Sequence, residues 1–318
     1  MKFDGVTHIG IIGLGMIGDS MAVLTTGHGI KTTCICRRPE MISEYKKTYD
    51  NYFQQMIDQG LMPPNQRDIC EKYLSYTTDY SAIADCEVIF ECVNENLELK
   101  YDILAKIEEN CHNVKAICSV SSTITPDAMG AKMTKYKDRL VVTHPFNPAH
   151  MVPFFECCGG ADTAEGVLEF SMELLAAMGR KPVALKKPTP GFIGNRLQFA
   201  LWREALALVE EGICDPADVD VCLNYSFSPR YTSIGIYEHF DNGGLELNRS
   251  GCNGIFPTLS TIKEAPPAVT DRIAKGETGP RSESKKGFYD WNKKDYKDFQ
   301  ARVNAPYWRF VNWDLPTK

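Results

Sequence analysis

The chain has 318 residues, of which 43% are hydrophobic and 24% charged, and this favours two globular domains with buried cores. Its formal net charge of −6 and the lack of a basic stripe argue against nucleic acid as a partner. No apolar run reaches the roughly 18 residues of a membrane helix, and a first strand near residue 8 leaves no space for a signal peptide. We therefore expect a cytoplasmic protein without membrane contact.

The first half of the chain alternates short β-branched runs with longer helical patterns, as parallel strands joined by crossover helices do. From residue 190 onward only helix signals follow, and Asp215-Pro216 supplies a helix cap and a first-turn proline. The sequence predicts an α/β protein with a doubly wound parallel sheet in residues 1–187 and an all-α domain in residues 188–318. The predicted strands are 8–13, 32–36, 87–93, 116–120, 140–143, 154–157 and 182–185, and the main predicted helices are 16–26, 39–59, 96–110 and 191–212.

Twelve cysteines raise the question of metal binding. Most of those in the first half lie in apolar, strand-like runs, where cysteine packs as a small hydrophobic residue. The pairs Cys34/Cys36 and Cys157/Cys158 lack the spacing of zinc motifs. We therefore predict no metal site.

A glycine-rich loop follows the first strand and opens the first helix. Gly13, Gly15 and Gly18 form a GxGxxG pattern, in which the glycines allow a tight turn, close approach of a pyrophosphate and close helix packing. The amino terminus of the helix favours the anion. The sequence predicts a Rossmann-type dinucleotide site in which these glycines, Met16 and Ile17 bind the cofactor.

The end of the second strand bears on which dinucleotide binds. NAD enzymes usually place a carboxylate there to hold the ribose hydroxyls, but this chain has Cys36 followed by Arg37 and Arg38. Two guanidinium groups could clamp a 2′-phosphate, or they could be ordinary surface charges. The pattern slightly favours NADP over NAD and leaves both open.

The segment HPFNPAHMVPFFE follows a strand end and contains His144, Asn147 and Glu156. A neutral imidazole can take a proton from a hydroxyl group at physiological pH, and a carboxylate on its other nitrogen would orient it. We predict that His144 and Glu156 form an acid/base pair and that Asn147 binds the cofactor.

Several motifs in order along the chain resemble those of the 3-hydroxyacyl-CoA dehydrogenase superfamily, including its L-gulonate 3-dehydrogenase (lambda-crystallin) branch. They are ECVNENLELK at 91–100, CSVSST at 118–123, HPFNP at 144–148 with Glu156, and TPGFIGNRLQ at 189–198. The resemblance implies oxidation of a 3-hydroxy group with His144 as base and Glu156 as its partner. It also implies that Ser119 and Asn195 hydrogen-bond the reacting oxygen and the histidine, that Glu95 lies near the nicotinamide, and that the helical domain forms a homodimer.

The resemblance leaves the substrate open between a free acid and a coenzyme A thioester. Residues 41–72 contain four basic and five acidic side chains, which offer phosphates little attraction. SPRYTSIGIYE at 228–238 resembles the branch that acts on free acids, and its Arg230 could bind a substrate carboxylate or form an ordinary ion pair. In contrast, DNGGL at 241–245 and KKGFYDW at 285–291 are similar to the thioester branch.

Two other functions are compatible with the glycine-rich loop. The opening IGIIGLGMIG also resembles β-hydroxyacid dehydrogenases of the 6-phosphogluconate type. Those enzymes use a lysine on the long helix after the nucleotide domain, but residues 192–206 of this chain contain no lysine. A dinucleotide-binding protein without catalysis, as a sensor or crystallin, would have no need for the four residues His144, Glu156, Ser119 and Asn195.

Overall fold

The fold is organised around one eight-stranded sheet with the order β3-β2-β1-β4-β5-β6-β7-β8. The computed structural model describes residues 5–318. Strands β1 to β6 pair in parallel, β7 runs antiparallel to β6, and β8 is parallel to β7. The predicted Rossmann-type sheet is therefore confirmed. The strands are β1 (His8–Ile12), β2 (Lys31–Ile35), β3 (Leu74–Thr77), β4 (Val88–Glu91), β5 (Ala116–Ser119), β6 (Leu140–Pro145), β7 (Phe154–Gly159) and β8 (Lys181–Ala184).

Helices connect the strands and bury one face each against the sheet or a neighbouring helix. The apolar side chains Tyr45, Tyr49, Phe53 and Met56 recur at helical spacing and are buried. Asn96 caps a helix by accepting a hydrogen bond from the Leu99 N–H at 2.9 Å. The helices of the sheet-bearing part are α1 (Met16–Gly27), α2 (Ile42–Asp58), α3 (Gln66–Glu71), α4 (Leu97–Asn110), α5 (Pro126–Met129) and α6 (Val167–Ala177).

The chain divides into two compact units, one formed by the residues up to Ile193 with Arg302–Lys318, the other by Gly194–Ala301. The predicted division at residue 187 differs from this one, chiefly because the last residues rejoin the sheet-bearing unit. Their packing explains the difference: the Trp313 ring lies 5.2 Å from the His28 ring, and a Cβ on Gly27 would come within 2.6 Å of the indole. Val311 is buried beside them.

The second unit is helical, as predicted, and few of its residues are buried. Within Gly194–Ala301 only Ala207 and Pro266 are buried. An apolar cavity of about 870 Å³ is lined by the first, second and fifth helices of the unit and by residues 277–291. Its helices are α7 (Gly194–Glu210), α8 (Pro216–Tyr225), α9 (Ile236–Gly243), α10 (Leu245–Ile255), α11 (Pro267–Ala274) and α12 (Tyr296–Asn304), the last of which crosses the boundary at Ala301.

The cysteines in and near the strands pack as hydrophobic residues. Cys34, Cys86 and Cys118 are fully or almost fully buried, and all twelve cysteines are free thiols. Burial raises the pKa of the Cys118 thiol to about 12, so the thiolate form that binds metals is disfavoured. Within residues 5–318, no helix is both long and apolar enough to cross a membrane.

Asp19 is an unusual residue in the first turn of α1, because its carboxyl group is buried without a hydrogen-bond partner for Oδ1 in residues 5–318. Burial, with a smaller contribution from Glu44, raises the pKa of Asp19 from 3.8 to about 7. Cys36 of the loop after β2, Tyr45 and Tyr52 of α2 interact electrostatically with this carboxyl group. Further titratable groups within its reach are Cys34, Tyr76 and Cys92.

The raised pKa of Asp19 predicts a specific pH dependence of stability. Between pH 4 and pH 7 the folded state binds the proton and the unfolded state releases it, so stability falls as the pH rises and levels off above pH 7. The expected loss is on the order of 4 kcal/mol. Asp19→Asn should abolish this part of the pH dependence, measured as the free energy of unfolding in urea at pH 5 and pH 8.

The exposed Asp102 of α4 provides a control. Asp102→Asn should keep the pH dependence of the wild type. If Asp19→Asn also kept it, the carboxyl group would be shown to ionise normally in the folded state.

Candidate active site and cofactor-binding loop

The glycine-rich loop between β1 and α1 has the geometry that a dinucleotide phosphate requires. Gly13 has a φ of 94°, and a Cβ there would come within 2.7 Å of the backbone at Cys92 and Val93. A Cβ on Gly18 would collide with the carbonyl oxygen of Gly13. Gly15 is exposed, and a Cβ there would meet nothing within 4 Å, so the loop is open where a pyrophosphate would approach.

Met16 and Ile17, which complete the predicted loop contacts, begin α1 directly after Gly15. Met16 is exposed and Ile17 is half-buried. The exposed start of this helix therefore presents its free backbone N–H groups at the loop.

The end of β2 places the residues that bear on cofactor choice on the surface. Cys36 is buried, and its backbone N–H donates to the Thr77 carbonyl oxygen at 2.7 Å. Arg37 and Arg38 are exposed, and Arg38 Nε lies 3.5 Å from a carboxylate oxygen of Glu40. A surface pair of this kind is weak, so the guanidinium group can move.

The structure brings the predicted histidine and glutamate together. Antiparallel pairing of β6 and β7 sets His144 directly opposite Glu156, with His144 Nδ1 3.0 Å from Glu156 Oε2. Glu156 is fully buried and His144 nearly so. Nδ1–H donation to the carboxylate fixes the tautomer that leaves Nε2 as a proton acceptor.

The second carboxylate oxygen of Glu156 is also held. The backbone N–H of Ile193 donates to Oε1 at 2.5 Å. Just before it, Gly191 and Phe192 both have positive φ, and Phe192 is buried with its ring 5.4 Å from the His144 ring. A non-glycine residue with positive φ is strained, so the surrounding contacts must hold this turn in place.

Ser119, predicted to contact the reacting oxygen, instead forms a hydrogen bond with Glu91. It is fully buried at the end of β5, and its hydroxyl donates to Glu91 Oε2 at 2.6 Å. A fully buried hydroxyl whose hydrogen is already donated has little capacity to bind a substrate. This placement does not favour a direct contact between Ser119 and the reacting oxygen.

Ser122, three residues further on in the CSVSST motif, is not among the site residues predicted from the sequence. It is half-buried, and the structure gives its hydroxyl no partner in residues 5–318. Its backbone N–H donates to Glu95 Oε1 at 3.1 Å. Glu95, predicted to lie near the nicotinamide, lies in the loop after β4 and therefore contacts the loop after β5 that carries this hydroxyl.

The remaining predicted residues lie in the loop after β6 and in the second unit. Asn147 is exposed in the loop after β6. Asn195 is the second residue of α7, two positions after Ile193, and is half-buried. Arg230 is exposed in the second unit, where its Nη1 lies 3.1 Å from His239 Nε2.

Comparison with known proteins adds independent information. Residues 8–188 match the family described as 3-hydroxyacyl-CoA dehydrogenase, NAD binding domain, and residues 191–291 match its C-terminal domain. The chain is 34% identical to L-carnitine dehydrogenase of Mesorhizobium japonicum over 238 residues, which cover 74% of this chain and 64% of the relative.

Another relative from the same organism matches over nearly its whole length. The chain is 27% identical to 5-formyl-3-hydroxy-2-methylpyridine 4-carboxylate 5-dehydrogenase, with 93% of this chain and 94% of the relative covered. A crystal structure of an enzyme with this activity, described as an NAD+-dependent dismutase, superposes with a TM-score of 0.84 at 26% identity and covers 96% of both chains. On the family matches, the chain belongs to the 3-hydroxyacyl-CoA dehydrogenase family.

Proposed function

We propose that this protein is an NAD-dependent dehydrogenase that oxidises the 3-hydroxy group of a small free hydroxy acid. The observation that carries the proposal is the 3.0 Å contact between His144 Nδ1 and Glu156 Oε2 at the carboxyl end of β6. Ligand sites of open α/β sheets collect at this end of the strands. The pair combines a base with its orienting group in the place where a substrate would bind.

His144 Nε2 takes the hydroxyl proton in this mechanism. The bound nicotinamide ring supplies the hydride acceptor. Glu156 stabilises the imidazolium that forms, and it does so without reorganising, because Ile193 holds its other oxygen. In the reverse direction the imidazolium returns the proton to the carbonyl oxygen.

We propose that the hydroxyl group of Ser122, rather than that of Ser119, binds the reacting oxygen of the substrate. Support comes from the half-buried Ser122 hydroxyl and from the commitment of Ser119 to Glu91. Asn195 follows Ile193 by two residues, and Ile193 bonds directly to Glu156. We therefore keep Asn195 as the second group that binds the reacting oxygen or the histidine.

Two observations favour a free acid over a coenzyme A thioester. Arg67, the one arginine of residues 41–72, is occupied by Asp50, Asp68 and Glu71 at 2.5 to 3.1 Å and is not available to a phosphate. The names of both relatives give small molecules without coenzyme A. Arg230 remains our prediction for the residue that binds the substrate carboxylate.

NAD is the cofactor that the comparisons favour, and they lend no support to the slight preference for NADP that the sequence suggested. The glycine loop serves either dinucleotide. Arg37 and Arg38 are the residues that would bind a 2′-phosphate.

We also propose that the protein is a homodimer through its helical unit. Support comes from the exposure of large apolar side chains on α7: Leu197 is 61% exposed, Phe199 58% and Trp202 47%. A helical unit with almost no buried residues needs a covering surface, and a second copy supplies one of the same composition.

Replacement of His144 tests the mechanism. His144→Ala should lower kcat about 10²- to 10⁴-fold, because the base acts in the transition state, and should leave the Kd for NADH within twofold. The measurement uses steady-state kinetics on a panel of 3-hydroxy acids and their coenzyme A thioesters, with NADH binding followed by fluorescence. His112→Ala, at an exposed histidine, is the matched control.

Glu156→Gln should lower kcat, because the imidazolium that forms during the reaction loses its charge partner. Turnover of His144→Ala near the wild-type rate would remove His144 from the mechanism. No turnover by the wild type with any member of the panel, despite NADH binding, would favour a non-catalytic dinucleotide-binding protein.

Removal of the two arginines tests cofactor choice. If they bind a 2′-phosphate, Arg37→Ala with Arg38→Ala should reduce kcat/KM for NADP at least tenfold and for NAD less than threefold. Lys46→Ala with Lys47→Ala removes the same charge from the exposed face of α2 and should affect both cofactors equally. Equal losses in the arginine variant would show that these side chains are surface charges only.

A charge on α7 tests the dimer. The wild type should have twice the mass of one chain in analytical ultracentrifugation at micromolar concentration, and Phe199→Asp should lower this mass, because a carboxylate cannot be buried there without a partner. Lys263→Asp, at an exposed polar position, should leave the mass unchanged. A monomeric wild type would contradict the proposal.

A further inference from the structure

A lysine is completely buried at the carboxyl edge of the sheet. Lys100 of α4 and Glu91, the last residue of β4, both have no exposed surface. Lys100 Nζ donates to Glu91 Oε1 at 3.0 Å and to Oε2 at 2.7 Å. Burial of two charges is costly, and such pairs often add little to stability compared with apolar side chains of the same size.

The buried pair joins two strand ends to one helix. Glu91 Oε1 also accepts a hydrogen bond from the Val93 N–H at 2.8 Å, and Oε2 accepts one from the Ser119 hydroxyl at 2.6 Å. Glu91 and Ser119 are register partners at the ends of β4 and β5. Both loops that leave these strands are therefore anchored on the Glu91 carboxylate.

Lys100 also reaches the second carboxylate of this edge. Its Nζ lies 3.8 Å from Glu95 Oε2. Glu95 Oε1 accepts hydrogen bonds from the hydroxyls of Ser121 and Thr123 and from the backbone N–H groups of residues 122 to 124, at 2.7 to 3.2 Å. Partial burial opposes ionisation of Glu95, but the bonds from Thr123 and Ser121 outweigh it and lower its pKa.

We propose that Lys100 is a positioning residue of the reaction centre, which holds the loops after β4 and β5 so that Glu95 and Ser122 face the nicotinamide and the substrate. The inference rests on the proposed function. Lys100 acts through Glu91 and Glu95 and does not touch the reacting atoms.

The location of the network supports a role beyond stability. In a doubly wound sheet the dinucleotide crosses the carboxyl edge where the strand order reverses, here between β1 and β4, and its nicotinamide half lies over β4 to β6. The loop after β5, which Lys100 fixes through Glu91, is therefore next to the strand that carries His144. A shift of about 1 Å in such loops can cost about 100-fold in rate.

Variants that neutralise the buried pair separate positioning from stability. Lys100→Met leaves Glu91 as an uncompensated buried charge, so it should lower both Tm and kcat. Combining it with Glu91→Gln removes both charges and keeps the side-chain volumes, so Tm should return to near the wild-type value. If Lys100 positions the loops, kcat of the double variant should remain at least tenfold below wild type, with the KM for NAD within threefold.

A binding measurement makes the test independent of turnover. The double variant should bind NADH with an affinity within twofold of wild type, because the glycine loop is intact, but should lose most of the fluorescence enhancement that reports an immobilised nicotinamide ring. Glu95→Gln, at a partly exposed side chain, leaves the Lys100–Glu91 pair intact and should reduce kcat with a smaller loss of Tm than Lys100→Met causes.

Lys132→Met is the matched control, because Lys132 pairs with Glu98 on the exposed side of α4 at 2.9 Å. It should change neither kcat nor the fluorescence. A double variant with wild-type kcat and wild-type NADH fluorescence would overturn the inference and leave the proposed function standing. If the double variant fails to fold, unchanged kcat and NADH fluorescence in Glu95→Gln would overturn the inference.

A wild type that binds NADH without turnover would instead refute the proposed function. The NADH fluorescence of the variants would still decide the role of Lys100.

Discussion

The pairing of β6 with β7 is the constraint on which the site depends. His144 and Glu156 are twelve residues apart in sequence, and the antiparallel register makes them direct neighbours on one face of the sheet. Side chains alternate between faces along a strand, so a slip of one residue would move the glutamate to the opposite face. Phe155 and Cys157, which flank Glu156 and are fully buried, resist such a slip because it would exchange their places with a charged group.

The carboxyl edge of this sheet concentrates buried carboxylates, and each one has its own arrangement of donors. Glu156 is held by an imidazole and a backbone N–H, and Glu91 by a lysine, a hydroxyl and a backbone N–H. Asp19 on the neighbouring helix has no such partner for Oδ1 in the part of the chain that the structure describes, and its pKa is raised. Burial without such donors disfavours the charged form of a carboxyl group, and this is why the pKa of Asp19 is raised.

Sequence reasoning succeeded where a feature is encoded locally and missed what depends on distant packing. The glycine loop follows from three residues and their position between a strand and a helix. In contrast, β3 was not predicted, because Leu74–Thr77 is short and only partly buried at the sheet edge, where the alternation of apolar residues is weak. The return of the last residues to the first unit depends on Trp313, Gly27 and His28, which no local pattern connects. The hydroxyl of Ser119 is buried and that of Ser122 is only partly buried, and the CSVSST motif alone does not show which of the two is accessible.

The helical unit also has a feature that its sequence does not reveal, namely what covers its apolar helix faces. Its helices were predicted from apolar periodicity, and that periodicity is real, yet the apolar residues of α7 are exposed in the single chain. Apolar periodicity indicates that a helix has one apolar face, but it does not identify what covers that face. Burial of such faces is the main favourable term in folding, so a unit that lacks it within one chain gains stability from whatever completes its core. If the helical unit dimerises as we propose, its stability should depend on protein concentration, whereas the stability of the sheet-bearing unit, which has its own buried core, should not.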